Sequence, residues 1–352
     1  FMDNTRKIFR EIKADAMLTE SADLRFYLTG FRSSFGIVYT DAQESVFFTD
    51  PRYAEGAKAA LKNTFIAVEI AKDLSTVLDY VKSKKVRRLA VPFERVTLPQ
   101  AEEFKARRFK LTDSMPVFTQ AMAVKSDDEL ALIRKACGIA EKALDEVVSE
   151  LKEGITENDA AAMLEYYMRR HGAEDRSFET IAAFGKNSSV PHHASGATKL
   201  VKGMPVLFDF GCKCSGYCSD ITRTFLFGKG EDQAEFIKMY GHVYDAHMRA
   251  AENIVSGMTG READALARDH LKEEGIDKFF THSLGHGIGI NIHEYPTLSP
   301  NGTAILRDGM VFSIEPGVYF EGKFGIRVED SVMLRGGKVE SFMKSDKKLT
   351  VL

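Results

Sequence analysis

The sequence predicts two domains of mixed α and β structure: an α/β layer domain over 1–120 and an α+β domain with an internal pseudo-twofold repeat over 121–352. Three observations predict this. Short β-rich runs alternate with helical segments up to about residue 120. Beyond Pro116 the apolar period becomes helical. The remainder of the chain then repeats one pattern twice, about 105 residues apart. A length of 352 residues suits two cores.

In the first domain FGIVYT and SVFFTD read as strands, PRYAEGAKAAL as a helix opened by Pro51, and FIAVEI and RLAVPF as further strands. The basic run Lys82–Arg88 reads as a solvated helix end rather than a binding patch. After Lys125 a long helix near 127–152 begins, with Ser126 as its cap. Gly154-Ile155-Thr156 and Gly257-Met258-Thr259 each supply a Thr cap with an acidic residue three positions later. They open helices near 157–171 and 260–274, closed by Gly172 and Gly275. A second long helix near 231–256 precedes the second copy, as 127–152 precedes the first.

Each copy ends in a hairpin. Gly203-Met204-PVLF-Asp209-F-Gly211 and Gly309-Met310-VFSI-Glu315-P-Gly317 both deliver a carboxylate six residues after a glycine. A turn signal and a second carboxylate follow, Asp220 in one case and Glu329 in the other. Folding about the midpoints, between Cys214 and Ser215 and at Gly322, sets Asp209 opposite Asp220 and Glu315 opposite Glu329, with Cβ atoms roughly 5 Å apart. A pseudo-twofold arrangement brings the hairpins together. Four carboxylates converging on one pocket repel one another unless cations neutralise them, and two divalent ions bring the sum to zero. The segment LGHGIGINIHE adds His286 and His293 with glycines that allow close backbone approach. It lacks H-E-x-x-H, because His293-Glu294 is followed by Tyr295-Pro296-Thr297. Its glycines at 285, 287 and 289 do not match a dinucleotide loop. Arg327 shares a strand face with Glu329 and is placed to orient that ligand or to bind a substrate carboxylate. His192 and His193 follow the polar loop Asn187-SSV-Pro191; by sequence alone they read equally well as surface residues. His282 precedes the glycine loop and stays unassigned.

Composition narrows the classes. Lys+Arg 48 against Asp+Glu 51 gives a net charge of −3, which offers no basis for nucleic-acid or anionic-membrane binding. No signal peptide is expected, and no apolar run reaches the roughly 20 residues of a bilayer span. A cytoplasmic location follows as the expectation. Of four cysteines, Cys212, Cys214 and Cys218 cluster beside Asp209, but C-x-C-x3-C is not a zinc-knuckle spacing.

These residues resemble the metallopeptidase family of methionine aminopeptidases, prolidases and aminopeptidase P, built on the pita-bread fold. The resemblance covers the whole chain through DFG…SDITRTF, GHGIG…HE, SIEPG and GIRVED. It implies that Asp209 binds one metal, that Asp220 and Glu329 bridge both, and that His286 and Glu315 complete the second. It further implies that His192 and His293 are catalytic, with Glu315 moving the proton. YLTGFRSS and FFTDPRYAEGA resemble the creatinase-type N-terminal domain, which favours the proline-specific branch and short peptides with proline second. Creatinase itself shares the fold without metal, and the intact ligands here argue against that. The resemblance also implies a homodimer. The hard ligand set implies manganese first, with cobalt, iron or zinc as alternatives. Two departures stand out: Cys214 replaces a frequent aromatic residue, and Thr297 stands where strict dipeptidases often carry an arginine. The second tilts the expectation from Xaa-Pro dipeptidase toward aminopeptidase P; a non-catalytic peptide-binding protein of the same fold is the remote alternative.

Overall fold

A computed structural model describes residues 4–230 and 233–352. The chain divides into two compact units, Phe1–Met122 and Ala123–Leu352.

The first unit is built on a six-stranded mixed sheet. Its order is Ile66–Ile70, Ser45–Thr49, Ile37–Asp41, Ala16–Thr19, Arg88–Val91 and Lys110–Asp113. The helix Pro51–Leu61 starts where Asp50 accepts from the Arg52 amide with Pro51 in the first turn. Leu18, Tyr39, Phe48, Val77, Val81 and Leu89 belong to this unit's core. The strand Ala16–Thr19, inside the sheet, escapes the sequence reading for a simple reason. All four of its residues are buried, so no alternation marks it. The basic run begins in the helix Leu74–Ser83 and ends in the strand Arg88–Val91; Lys84 pairs with Glu44 and Arg88 with Asp15 at 3.3 Å.

The second unit repeats itself down to individual hydrogen bonds. Thr156 and Thr259 each form a complete capping box, with Asp159 and Glu262 respectively, and open the helices Glu157–Arg170 and Gly260–Glu273. Gly154 N–H donates to Leu200 O and Gly257 N–H to Leu306 O, both at 2.8 Å. Asn158 N–H reaches Gly196 O at 3.0 Å, and Arg261 N–H reaches Gly302 O at 2.9 Å. Isolated bridges Thr156–Lys199 and Thr259–Ile305 complete the correspondence. The long helices Asp127–Glu150 and Ala234–Asn253 pack against these shorter ones. Among the described residues no helix is long and apolar enough to cross a membrane.

The hairpins hold the site, and their registers differ. In the second, Ile314 pairs with Asp330 and Gly317 with Arg327, so Glu315 lies opposite Glu329, as the spacing requires. In the first, Asp209 pairs with Thr222, not with Asp220. The expectation of a direct Asp209–Asp220 pair is therefore corrected. The cause is the turn, which places Ser215 and Gly216 at φ 46° and 91° and so centres one residue later than the sequence midpoint. Because side chains alternate with period two, Asp209 and Asp220 become diagonal neighbours on a shared face. A bridge between Thr222 and Glu329 joins the two hairpins at the centre of the unit.

Candidate metal centre

All eight residues singled out in the sequence line one cavity of about 520 Å³: Asp209, Asp220, His286, Glu315 and Glu329, with His192, His293 and Arg327. Asp209 comes from the strand Pro205–Phe210, and Glu315 follows the strand Val311–Ile314. Asp220 and Glu329 immediately precede the returning strands Ile221–Leu226 and Asp330–Arg335.

The imidazole of His286 is oriented for ligation. Its Nδ1 lies 3.1 Å from the Gly287 carbonyl, an acceptor that selects the tautomer with the proton on Nδ1. The Nε2 lone pair then faces Glu315 Oε1 at 3.3 Å and Asp220 Oδ2 at 3.5 Å. Burial holds this histidine below its ordinary pKa, which keeps it neutral. Three acceptors thus point at one another, an arrangement that calls for a shared proton or a cation. Potential ligand atoms of Asp220, His286 and Glu329 all lie within 4.8 Å of one another. Asp209 Oδ1 and Glu329 Oε1 are buried without a hydrogen-bond partner. Orphaned carboxylate oxygens on two of the expected ligands, beside hard oxygen donors and one imidazole, fit divalent cations.

The electrostatics agree. Burial, then Glu329, Asp209 and Glu315, drives the Asp220 pKa well above the carboxylate range. Burial, then Glu315 and Asp209, does the same to Glu329. Burial pushes Glu315 up to about 8, against the lowering influence of Arg327. In each case the charged form is penalised, and a metal ion would reverse that penalty.

A set of hydroxyls and cations orients the candidate ligands. Thr222 donates to Glu329 Oε2 at 2.6 Å and accepts from Arg327 Nε at 3.0 Å. Arg327 is only 3% exposed; its guanidinium also contacts Asp209 and the Tyr319 hydroxyl. Tyr319 passes its proton toward His282 Nε2, 2.9 Å away, while His282 Nδ1 lies 2.9 Å from Ser283 O. Burial drops the His282 pKa to about 3, so it stays a neutral acceptor. Ser313 donates to Glu315 Oε1 and accepts from the His286 amide, both at 3.0 Å. Thr222, Ser313 and Tyr319 were not identified from sequence. Hydroxyl residues in strands carry no signal of their own, and only an i±2 relation to a carboxylate marks Ser313, two before Glu315, and Thr222, two after Asp220.

The histidines separate by environment. His293 is exposed, with its ring 4.3 Å from that of His286. His192 is exposed at the cavity, whereas the ring of His193 is held 2.9 Å from Glu157. Glu294 is turned away into a buried ion pair with Lys125 at 3.1 Å, which removes it from the chemistry. Cys212, Cys214 and Cys218 are buried and outside any disulfide; burial lifts Cys212 to about 12, so it packs as a neutral group.

Comparison with known proteins matches residues 131–335 to metallopeptidase family M24 and residues 2–121 to the creatinase/prolidase N-terminal domain. The Xaa-Pro dipeptidase of Pyrococcus furiosus is 37% identical over 248 residues, 70% of either chain. The structure of an Xaa-Pro dipeptidase from Bacillus anthracis superposes with a TM-score of 0.92 at 33% identity, covering 99% of this chain and 98% of that one. An X-Pro aminopeptidase from Thermotoga maritima MSB8 gives 0.90 at 34% identity, covering 98% and 100%.

Proposed function

The chain belongs to metallopeptidase family M24, and from that premise we propose that it hydrolyses the Xaa-Pro bond at the N-terminus of short peptides. The observation that carries this reading is the convergence of four carboxylates and one imidazole, with unpartnered oxygens on Asp209 and Glu329, in one cavity. Relatives named for Xaa-Pro substrates support the proline class. In this reading residues 1–120 are the creatinase-like domain and 121–352 the catalytic one. Asp209 would hold one cation, Asp220 and Glu329 would serve both, and His286 with Glu315 would complete the second. Manganese suits the hard donors best, followed by cobalt, iron or zinc.

The chemistry supplied by divalent cations in that place is Lewis acidity toward a carbonyl oxygen and a lowered pKa for water. The protein's own groups do the rest. Glu315 takes a proton during attack and returns it to the leaving nitrogen. His293 donates to the carbonyl oxygen as negative charge develops there. His192 supports the departing proline nitrogen, which has no N–H of its own to be gripped. Arg327 holds Asp209 in place. Thr297 at the cavity, where strict dipeptidases often carry an arginine, offers no charge to a dipeptide's carboxylate and favours longer peptides, as in aminopeptidase P. The dipeptidase reading is the second choice, favoured by the dipeptidases among the relatives.

Assays with manganese on Ala-Pro, Ala-Pro-Ala and Ala-Ala-Ala separate these readings. The expected result is the highest kcat/KM on Ala-Pro-Ala and loss of turnover on chelation. Preference for Ala-Pro overturns the peptide-length assignment, and comparable turnover of Ala-Ala-Ala overturns the proline class. The same reading assigns a homodimer in the cytoplasm, consistent with four cysteines that form no disulfide. A monomer by light scattering would remove the first, and fractionation outside the cytoplasm the second.

A further inference from the structure

Glu157, the first residue of its helix, is fully buried at 0% exposure. Its carboxylate meets four nitrogen donors. Phe184 N–H at 2.8 Å and Asn187 Nδ2 at 2.9 Å reach Oε1. Gly196 N–H at 3.0 Å and His193 Nε2 at 2.9 Å reach Oε2. A carboxylate accepts about four hydrogen bonds, so this one is saturated. Every donor lies between residues 184 and 196, and His192 sits inside that arc, exposed at the cavity.

The duplicated fold provides an internal control. The residue after the capping Thr is Glu157 in the first half and Gly260 in the second. Both backbones make the same bond, Glu157 N–H to Thr198 O at 3.1 Å and Gly260 N–H to Ala304 O at 2.8 Å. The helix and its cap therefore form without a carboxylate; in the second half the corresponding loop packs directly on Gly260, where a Cβ would lie 2.2 Å from Thr297 O, and in the first half the Glu157 carboxylate takes that place. The carboxylate is thus the contact that fastens the loop carrying His192.

We propose that Glu157 is a positioning residue that holds the 184–196 loop so that His192 faces the substrate, with His193 as its link to that loop. This rests on the Xaa-Pro reading above. Glu157→Gln sets an amide N–H₂ against two donors and releases the loop, while the metal ligands stand on other strands.

The test is a double-mutant cycle on the manganese-loaded enzyme with Ala-Pro-Ala. His192→Ala should lower kcat/KM by about 10²-fold, the scale expected for losing one proton-handling group. Glu157→Gln should approach the same loss with metal content unchanged, and the double variant should be no worse than His192→Ala alone. His193→Ala should reproduce part of the loss and His193→Gln, which keeps a donor, should restore it; this pair tests the idea should Glu157→Gln fail to fold. Multiplicative losses in the double variant, loss of metal in a folded Glu157→Gln, or failure of His193→Gln to recover activity would each overturn it. Absence of Xaa-Pro turnover in the unmodified enzyme would overturn the functional reading, and this inference with it.

Discussion

Glu315 shows what the cluster costs without cations. Its pKa rises from an ordinary 4.5 to about 8, chiefly through burial. The folded metal-free protein therefore binds a proton there at pH 7 that the unfolded chain has released. Stability from this group is fully present below about pH 4.5 and is lost as pH rises through about 8. Asp220 and Glu329 are shifted the same way. The melting temperature of the chelated protein should fall across that window, and manganese should restore it. Binding of manganese at pH 7 should release protons, visible as a buffer-dependent enthalpy. A chelated protein whose melting temperature is flat across the window would show that these carboxyls are already ionised. At this scale the candidate ligands are legible in sequence because carboxylates after β-rich runs are chemically conspicuous. Arg327 is legible by periodicity, but its contacts with Asp209 and Tyr319 depend on a cross-strand geometry that spacing does not encode.

Elements place those residues through close backbone approach. A Cβ at Gly285 would lie 1.9 Å from Ser313 O, so the strand Gly285–Gly287 needs glycine to sit beside its neighbour and deliver His286. Gly285→Ala should cost about 1–3 kcal/mol, the range for overpacking. It should also weaken metal binding, because the displaced residue adjoins His286, a proposed ligand. Denaturant unfolding and a metal titration measure the two effects; wild-type values in both would mean the strand yields freely. Helix positions were legible from capping boxes and closing glycines. The first hairpin's register was not, because its left-handed pair, Ser215 and Gly216, lies one residue from the midpoint that the carboxylate spacing suggests.

Across the catalytic unit the two halves are tied behind the cavity by Arg223, 1% exposed. Its guanidinium pairs with Asp330 at 2.8 Å, donates to Thr222 O at 3.0 Å and also reaches the Glu329 carbonyl. Lys347 meets the same Asp330 at 2.9 Å. Breaking a buried pair leaves a charge uncompensated, so Arg223→Met should lose about 3–5 kcal/mol, with Lys347 pulling the value toward the lower end. A loss below 1 kcal/mol in denaturant unfolding would show that Lys347 alone suffices.

The bridge from Thr222 to Glu329 carries an implication about origins. Neither half holds the full donor set, since Asp209 and Asp220 lie in one while His286, Glu315 and Glu329 lie in the other. Two identical halves meeting edge to edge would present the same donors on both sides. Held in one polypeptide, the two halves need not be identical. By register, Ala183 now occupies the place on its strand that His286 takes on the other, and catalysis is left with two unequal sides.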